Sequence, residues 1–394
     1  MLKLLRPFEA RRADWSIAVT VFLLSALGMV MIWSASSYTA QRDTGDSLYF
    51  VKKQFLGFVA GGCAFAFFCF LDLDRLKKWA LPLFGGSQVL LALVFVPGLG
   101  VENYGARRWI GLGGVTLQPS EIAKFAFVLF SAAYAADRAG KMEKFSTLLP
   151  ILGAGGATCL LIIAEPNMSI TVCVAAVMMA MLFFSGARIK HLLALTLPLV
   201  LLIPLLIWLE PYRMNRLIAF LDPWANPKDE GYQLIQSLYG LGSGGLFGVG
   251  LGNSRQKFEF LPFAESDFIF SVIGEELGLF GCLGVLGLFL FLIARGIRTA
   301  VNAPDRFRCY LAAGITALVA VQVAVNVAVV TGSIPPTGLP LPFISYGGSS
   351  LTVFLGGMGI LQNISASAAP LSDRLPALKT PAARGKRRKK SGNK

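Results

Sequence analysis

Long runs of apolar residues, separated by short polar segments, dominate the chain. A bilayer has a hydrocarbon core of about 30 Å, which a helix crosses with about 20 apolar residues. Ten runs approach this length, and they lie near residues 15–35, 55–71, 79–97, 119–136, 147–164, 168–185, 192–209, 267–294, 309–331 and 349–366. The pattern predicts an all-α integral membrane protein, in which a single bundle of about ten transmembrane helices spans residues 15–366.

The composition agrees with a membrane protein. Hydrophobic residues make up 55% of the 394 positions and charged residues 15%, and the mean hydropathy is +0.64. Soluble domains carry about 25% charged residues, so this chain lacks the charge to cover a water-facing surface. The first apolar run follows basic residues and has no small-residue cleavage site, so we expect a retained signal anchor.

The distribution of Lys and Arg predicts the orientation. With the N-terminus in the cytoplasm, the inner segments are residues 1–14, 72–78, 137–146, 186–191, 295–308 and 367–394. They carry 25 of the 36 Lys and Arg residues, and the outer loops carry 10. This excess is the positive-inside pattern, and it places both termini, residues 1–14 and 367–394, in the cytoplasm. The largest outer loop then covers residues 210–266, between predicted helices 7 and 8. Because loops carry function, we expect the active site to face outward.

The C-terminal tail is strongly basic, with seven Lys or Arg residues among the last eleven. After a transmembrane helix, such a run is typical of a disordered cytoplasmic tail near anionic lipid, and a nucleic-acid patch is the less favoured alternative. The six cysteines include no CxxC pair, so we interpret them as small apolar side chains. A single histidine, His191, argues against a zinc site.

Two ionisable residues lie near the start of the fourth predicted helix. Pro119 suits the first turn, which places Glu121 near the N-terminus, where the helix dipole favours a carboxylate. Lys124 follows at i+3, so the two side chains can pair. Ionisable residues inside a membrane are costly and indicate a functional site. The alternative is a structural pair that neutralises itself.

A carboxylate also opens the eighth predicted helix. Small residues continue the face of Asp267 for three turns, which suits close helix contact or a crevice. Asp267 would lie at the outer mouth of this crevice, and a helix N-cap is the alternative role. Glu275 and Glu276 lie about 12 Å deeper along the axis, and we expect them to serve packing or a proton path.

The largest outer loop combines basic residues with a glycine-rich stretch. Arg213, Arg216, Arg255 and Lys257 flank residues 240–252, in which seven of thirteen residues are glycine. The stretch indicates backbone that turns tightly or approaches a ligand closely. The basic residues suit a phosphate-bearing ligand, and contact with lipid phosphates is the alternative.

Five motifs together resemble those of the FtsW/RodA/SpoVE family of shape, elongation, division and sporulation proteins. They are GARRWIG at residues 105–111, QPSEIAK at 118–124, GYQLIQS at 231–237, SDFIF at 266–270 with GEELG at 274–278, and GLPLPFISYGG at 338–348. The resemblance spans about residues 15–366. The segment NSRQKFEFLP at residues 253–262 is more similar to the FtsW/SpoVE branch than to RodA.

The resemblance implies a peptidoglycan glycosyltransferase in a bacterial cytoplasmic membrane, at the division septum or in sporulation. Such enzymes polymerise lipid II, an undecaprenyl-pyrophosphate-linked disaccharide-pentapeptide, into a lipid-linked glycan. They work with a class B penicillin-binding transpeptidase and other divisome proteins, and no nucleic acid takes part.

The family's catalytic residues match Asp267, Glu121 and Lys124. Many relatives have an Asp after the proline that closes the fifth helix, whereas this chain reads Glu165-Pro166-Asn167. Either Glu165 supplies the carboxylate or this position is not catalytic. The expected substrate-binding residues are Arg107, Arg108, Glu165, Asn167, Arg213, Arg216, Arg255, Lys257 and Ser345.

Polymerisation of an α-linked donor into a β-1,4 glycan inverts the anomeric centre and needs one base, for which Asp267 is the candidate. The pyrophosphate leaving group needs cations, which the loop arginines and lysine can supply. A divalent cation such as Mg²⁺ is compatible with this chemistry, although the sequence shows no dedicated metal site. Two alternatives stay open: a lipid II flippase, against which the short inner loops and the lack of an inverted repeat argue, and a non-catalytic scaffold for the transpeptidase.

Overall fold

The computed structural model describes residues 13–103, 106–112, 115–209, 211–229, 231–258 and 260–367. Within these ranges the helices are α1 (Trp15–Thr44), α2 (Tyr49–Phe70), α3 (Leu73–Lys78), α4 (Ala80–Leu93), α5 (Pro119–Asp137), α6 (Phe145–Ala164), α7 (Met168–Phe184), α8 (Ile189–Trp208), α9 (Pro211–Leu221), α10 (Tyr232–Ser243), α11 (Ile269–Asn302), α12 (Arg306–Val330) and α13 (Gly348–Ser367). The strands are β1 (Gly100–Asn103), β2 (Ala106–Leu112) and β3 (Val115–Leu117). The first twelve residues and the basic tail from residue 368 onward lie outside the described residues.

Each of the ten predicted apolar runs coincides with a helix. Among the described helices, α1, α2, α6, α11 and α12 are long and apolar enough to cross a membrane. The apolar pattern does not predict α3, α9 or α10, which are short. It also does not predict the antiparallel sheet, in which β2 lies between β1 and β3.

The described residues of five segments predicted to be cytoplasmic lie close together. Four ion pairs connect them, namely Arg295 with Asp14, Arg308 with Asp74, Lys77 with Asp137 and Arg188 with Glu143, at nitrogen–oxygen distances of 2.6, 3.0, 2.5 and 2.9 Å. Each pair joins two different predicted inner segments. The packing of the helices therefore agrees with the alternation of inner and outer segments expected from the distribution of Lys and Arg.

Helix α12 lies inside the bundle, where it packs against α5, α7 and α11. Helices α2 and α13 approach each other closely because glycines lie at their contact. A Cβ atom at Gly57 would lie 2.5 Å from the Cα of Gly348, and one at Gly359 would lie 2.4 Å from the carbonyl oxygen of Phe65. Small residues of this kind allow helix backbones to pack tightly in a membrane.

Helix α11 is interrupted at Gly278, whose φ of 67° and ψ of −166° are not helical. Four backbone hydrogen bonds of 2.9–3.2 Å join residues 245–250 to residues 275–280 at this break. A Cβ atom at Gly248 would lie 2.1 Å from the carbonyl oxygen of Glu276. The glycine-rich stretch was predicted to turn tightly or to approach a ligand closely. In the structure it turns tightly, and it approaches the backbone of helix α11.

The cysteines behave as apolar side chains. All six are free, and Cys69, Cys173 and Cys282 are buried in the hydrophobic core. His191 contacts the ring of Phe145, with 5.6 Å between the ring centroids.

The orientation predicts which loops react with a membrane-impermeant thiol reagent. Lys228 and Lys141 are both exposed, and we place them on the outer and the inner side. In a variant without native cysteines, we expect Lys228→Cys to be labelled in intact cells and Lys141→Cys only after permeabilisation. Equal labelling of both positions in intact cells would contradict the proposed orientation.

Candidate active site at the predicted outer face

Asp267 lies in the turn before helix α11, two residues before the first helical residue, Ile269. The N-cap residue of α11 is Phe268 and not Asp267. The hydroxyl of Ser266 donates to Oδ1 of Asp267 at 3.1 Å. Gly338, with a φ of 73°, lies beside the carboxylate, and a Cβ atom there would be 3.2 Å from Oδ2. A side chain at residue 338 would therefore strain the backbone and crowd the carboxylate.

The backbone around Asp267 is fixed by helix α12 and by the loop between α12 and α13, residues 331–347. Three hydrogen bonds of 2.7–2.9 Å do this, from Asn326 Nδ2 to the Asp267 carbonyl, from Ser345 Oγ to the Ser266 carbonyl and from the Tyr346 N–H to the Glu265 carbonyl. Ser345 Oγ also accepts from the N–H of Leu341 at 2.7 Å. The hydroxyl of Ser345 is thus engaged within the protein.

Glu121 and Lys124 form the ion pair that their spacing predicts, with 2.9 Å between Nζ and Oε1. Both side chains are fully buried. Lys124 Nζ also donates to Oε1 of Gln322 in α12 at 2.8 Å, and Ser350 Oγ in α13 donates to Oε2 of Glu121 at 2.9 Å. The pair therefore connects three helices instead of being confined to α5.

Two amides on helix α12 connect this ion pair with Asp267. Gln322 Nε2 donates to the carbonyl of Pro340 at 3.0 Å, and Asn326 Nδ2 donates to the carbonyl of Leu339 at 2.7 Å. The two amides, one helical turn apart, bind consecutive carbonyls of the same loop. The ion pair is thus connected to Gln322, Gln322 to Asn326 through the adjacent carbonyls of Pro340 and Leu339, and Asn326 to the Asp267 carbonyl. We call this series of contacts the α12 polar line.

A second cluster lies where the sheet meets the turn between α6 and α7. Arg108 on β2 donates to the carbonyls of Glu165 and Pro166, at 3.2 and 2.6 Å. The carboxylate of Glu165 is buried, and neither of its oxygens has a hydrogen-bond partner in the described part of the chain. Burial raises the pKa of Glu165 to about 8, although the charge of Arg108 acts in the opposite direction. Asn167 caps helix α7 by accepting from the Ile170 N–H at 3.3 Å.

A third cluster fixes the predicted outer loop on helix α11. Glu275 and Glu276 are buried, and they accept hydrogen bonds from Ser254 Oγ, the N–H groups of Ser254, Arg255 and Gln256, and Ser34 Oγ of helix α1. Of the two expected roles, these contacts support packing. The side chain of Arg255 is exposed, whereas Lys257 is buried and donates to the carbonyl of Gly252.

The structure therefore distributes the expected site residues over three clusters. The first contains Asp267, Glu121, Lys124 and Ser345, the second contains Arg108, Glu165 and Asn167, and the third contains Arg255 and Lys257. Arg107 is exposed on β2. Arg213 and Arg216 belong to helix α9, but their side chains lie outside the described part of the structure.

Gln322, Asn326 and Ser350 contact the candidate site residues Lys124, Asp267 and Glu121, and the sequence analysis did not single them out. A signal was present for the first two, because both are amides inside the apolar run of α12 and are spaced four residues apart.

Comparisons with known proteins agree with this architecture. The family model FtsW/RodA/SpoVE, described as cell cycle protein, matches residues 14–369. A Geobacter sp. (strain M18) protein named as a probable peptidoglycan glycosyltransferase FtsW is 42% identical and covers 89% of this chain and 96% of its own length. Stage V sporulation protein E of Bacillus subtilis (strain 168) is 40% identical over the same shares.

Solved structures show the same fold. A chain of a peptidoglycan synthase complex, described as coordinating polymerization and crosslinking, is 32% identical with a TM-score of 0.74, covering 90% of this chain and 97% of that chain. The rod shape determining protein RodA of Thermus thermophilus is 29% identical with a TM-score of 0.68, covering 91% and 98%. The resemblance seen in the five motifs is thereby confirmed, and the chain belongs to the FtsW/RodA/SpoVE family.

Proposed function

We propose that this chain is a peptidoglycan glycosyltransferase, which polymerises lipid II into β-1,4 glycan strands at the outer face of a bacterial cytoplasmic membrane during cell division or sporulation. The enzyme class is supported by relatives named as peptidoglycan glycosyltransferases that match nearly the whole chain. The observation that carries the proposal is the position of Asp267. Its backbone is fixed by hydrogen bonds, and its carboxylate lies beside Gly338 at the mouth of helix α11.

The proposed reaction uses Asp267 as the general base. Asp267 takes the proton of the acceptor 4-hydroxyl, the acceptor oxygen attacks the donor anomeric carbon, and the bond to undecaprenyl pyrophosphate breaks with inversion. The leaving group departs with negative charge. Exposed cations at the outer face, Arg107 and Arg255, are suited to stabilise this charge, together with Arg213 and Arg216 of helix α9. Lys257 is buried, and we assign it to the placement of this loop.

Glu165 suits substrate binding better than base catalysis. Because its pKa is raised to about 8, the carboxyl group is mostly protonated at pH 7 and is available to donate a hydrogen bond to a bound substrate instead of accepting a proton. Arg108 lies against the same turn. We infer that this cluster binds a polar group of the substrate, with Asn167 maintaining the start of helix α7.

We further propose a multi-pass protein at the division septum, with both termini in the cytoplasm and a class B penicillin-binding protein and other divisome proteins as partners. One solved relative belongs to a synthase complex that is described as coordinating polymerization and crosslinking. Crosslinking is a transpeptidase reaction, which supports this choice of partner.

Asp267→Asn tests the proposed base. Asn keeps the size of the side chain but removes its basicity, so we expect glycan polymer formed from lipid II by the purified protein with its transpeptidase to fall by about 10²–10⁴-fold. Expression, thermal stability and partner binding should remain unchanged. Near-normal polymer formation would exclude Asp267 as the base, and lipid II movement between leaflets without polymer in the unmutated protein would favour a flippase.

Replacement of both members of the buried ion pair separates a functional from a structural role. Replacing a buried pair by apolar residues is often neutral for stability, so we expect Glu121→Leu with Lys124→Met to fold but to lose polymerase activity. The matched control is Lys77→Met with Asp137→Asn, a Lys–carboxylate pair at the opposite face. A double variant that folds and polymerises normally would show that Glu121 and Lys124 are only structural.

The raised pKa of Glu165 predicts a pH-dependent stability. The folded protein retains this proton up to pH of about 8, whereas the unfolded chain loses it near its usual value of 4.5. Its contribution to stability is therefore complete below pH of about 4.5 and is lost as pH rises towards 8. We expect Glu165→Gln to be less sensitive to alkaline pH than the unmodified protein in thermal unfolding, with exposed Glu143→Gln as the control. Parallel pH profiles for all three proteins would refute this account of Glu165.

A further inference from the structure

Asn326 makes contacts that distinguish it from a packing residue of helix α12. Its side chain is 1% exposed, and Nδ2 donates to two carbonyls, those of Asp267 at 2.8 Å and Leu339 at 2.7 Å. An amide nitrogen has two hydrogens, so both are used. Its Oδ1 is buried without a hydrogen-bond partner among the described residues. The orientation of the amide is therefore set by the two carbonyls alone.

We propose that Asn326 is a positioning residue, which fixes the peptide of Asp267 so that the carboxylate faces the acceptor hydroxyl. The inference rests on the proposed function and extends it, because it assigns the placement of the base to helix α12 instead of to α11. Asp267 precedes the first residue of α11 by two positions. Asp267 therefore lies outside the range of α11, and the bond from Asn326 fixes its peptide from a second helix.

The contact acts on the residue that carries the chemistry. Ser345 and Tyr346 fix the carbonyls of Ser266 and Glu265, whereas Asn326 alone among these donors binds the carbonyl of Asp267 itself. Loss of this bond removes the contact between α12 and the peptide of Asp267, and a rotation of this peptide moves the attached carboxylate. A displacement of about 1 Å at a reacting group is enough to lower a rate by about 10²-fold.

The second carbonyl that Asn326 binds, that of Leu339, connects Asp267 with the Glu121–Lys124 pair. Leu339 O lies next to Pro340 O, which Gln322 binds while accepting from Lys124. Gly338, one residue earlier, lies against the Asp267 carboxylate. The same loop therefore lies beside the carboxylate of Asp267, and Asn326 joins this loop to the Asp267 peptide. Asp267 is in this way placed relative to the Glu121–Lys124 pair.

The chain contains a matched control for this geometry. Asn363 in helix α13 also donates from Nδ2 to two carbonyls, those of Phe68 at 2.9 Å and Leu71 at 2.8 Å. These carbonyls lie at the end of α2, which leads into the inner segment that contains α3. Removal of either amide leaves two carbonyls without this donor, but only Asn326 contacts the turn with Asp267.

The test compares Asn326→Ala and Asn326→Asp with Asn363→Ala and Asn363→Asp in the full-length protein with its transpeptidase. Asp has nearly the shape of Asn but lacks both donors. For the Asn326 variants we expect kcat for lipid II polymerisation to fall by about 10- to 100-fold while KM changes less than about threefold, the pattern of a lost transition-state interaction. The Asn363 variants should keep kcat within about threefold, with a similar decrease in the melting temperature.

Three results would overturn the proposal. They are normal kcat in the Asn326 variants, an equal loss of kcat in the Asn363 variants, and a loss confined to KM. If Asn326→Ala and Asn326→Asp do not fold, Asn326→Ser, which keeps one donor, replaces them. If Asn326→Ser does not fold either, the residue is structural and the proposal is rejected. Normal activity of Asp267→Asn would instead reject the proposed function, so the two failures are distinguishable.

Discussion

The structure depends on the requirement that polar groups inside a membrane find their partners within the protein. The α12 polar line meets this requirement for the most costly group, the buried ammonium of Lys124, which pairs with Glu121 and donates to Gln322. An unpaired charge at this position would cost several kcal/mol. Gln322 also binds the loop between α12 and α13. The same side chain therefore stabilises the charge of Lys124 and fixes the position of this loop. The geometry at Asp267 follows from it.

A second constraint holds the largest predicted outer loop close to the bundle. Gly278 interrupts helix α11, and backbone groups on both sides of this break form hydrogen bonds with residues 245–250. Just before the break, the carboxylates of Glu275 and Glu276 bind the backbone of residues 254–256. Arg255 is therefore presented from a fixed backbone. This arrangement explains how a loop that contains seven glycines in thirteen residues adopts one conformation.

Helix positions and the charged members of the site were accessible from the sequence, but the contacts made by its neutral members were not. Apolar runs define the helices because the bilayer requires them, and Glu121, Lys124 and Asp267 stand out because charge there is costly. Asn326 is an ordinary amide whose partner carbonyl is 59 residues away. The burial of Glu165 beside Arg108, and strands of three to seven residues, likewise depend on contacts that no periodicity predicts.

The central claim is that this protein polymerises a lipid-linked sugar at the outer face of the membrane, with the carboxylate of Asp267 as the base. The most direct measurement reconstitutes the unmodified chain and its transpeptidase in vesicles that contain lipid II, and follows both glycan polymer and lipid II movement between leaflets. The account predicts glycan polymer, formed on the side to which Lys228 is exposed. Movement of lipid II without polymer, or neither polymer nor movement, would contradict it.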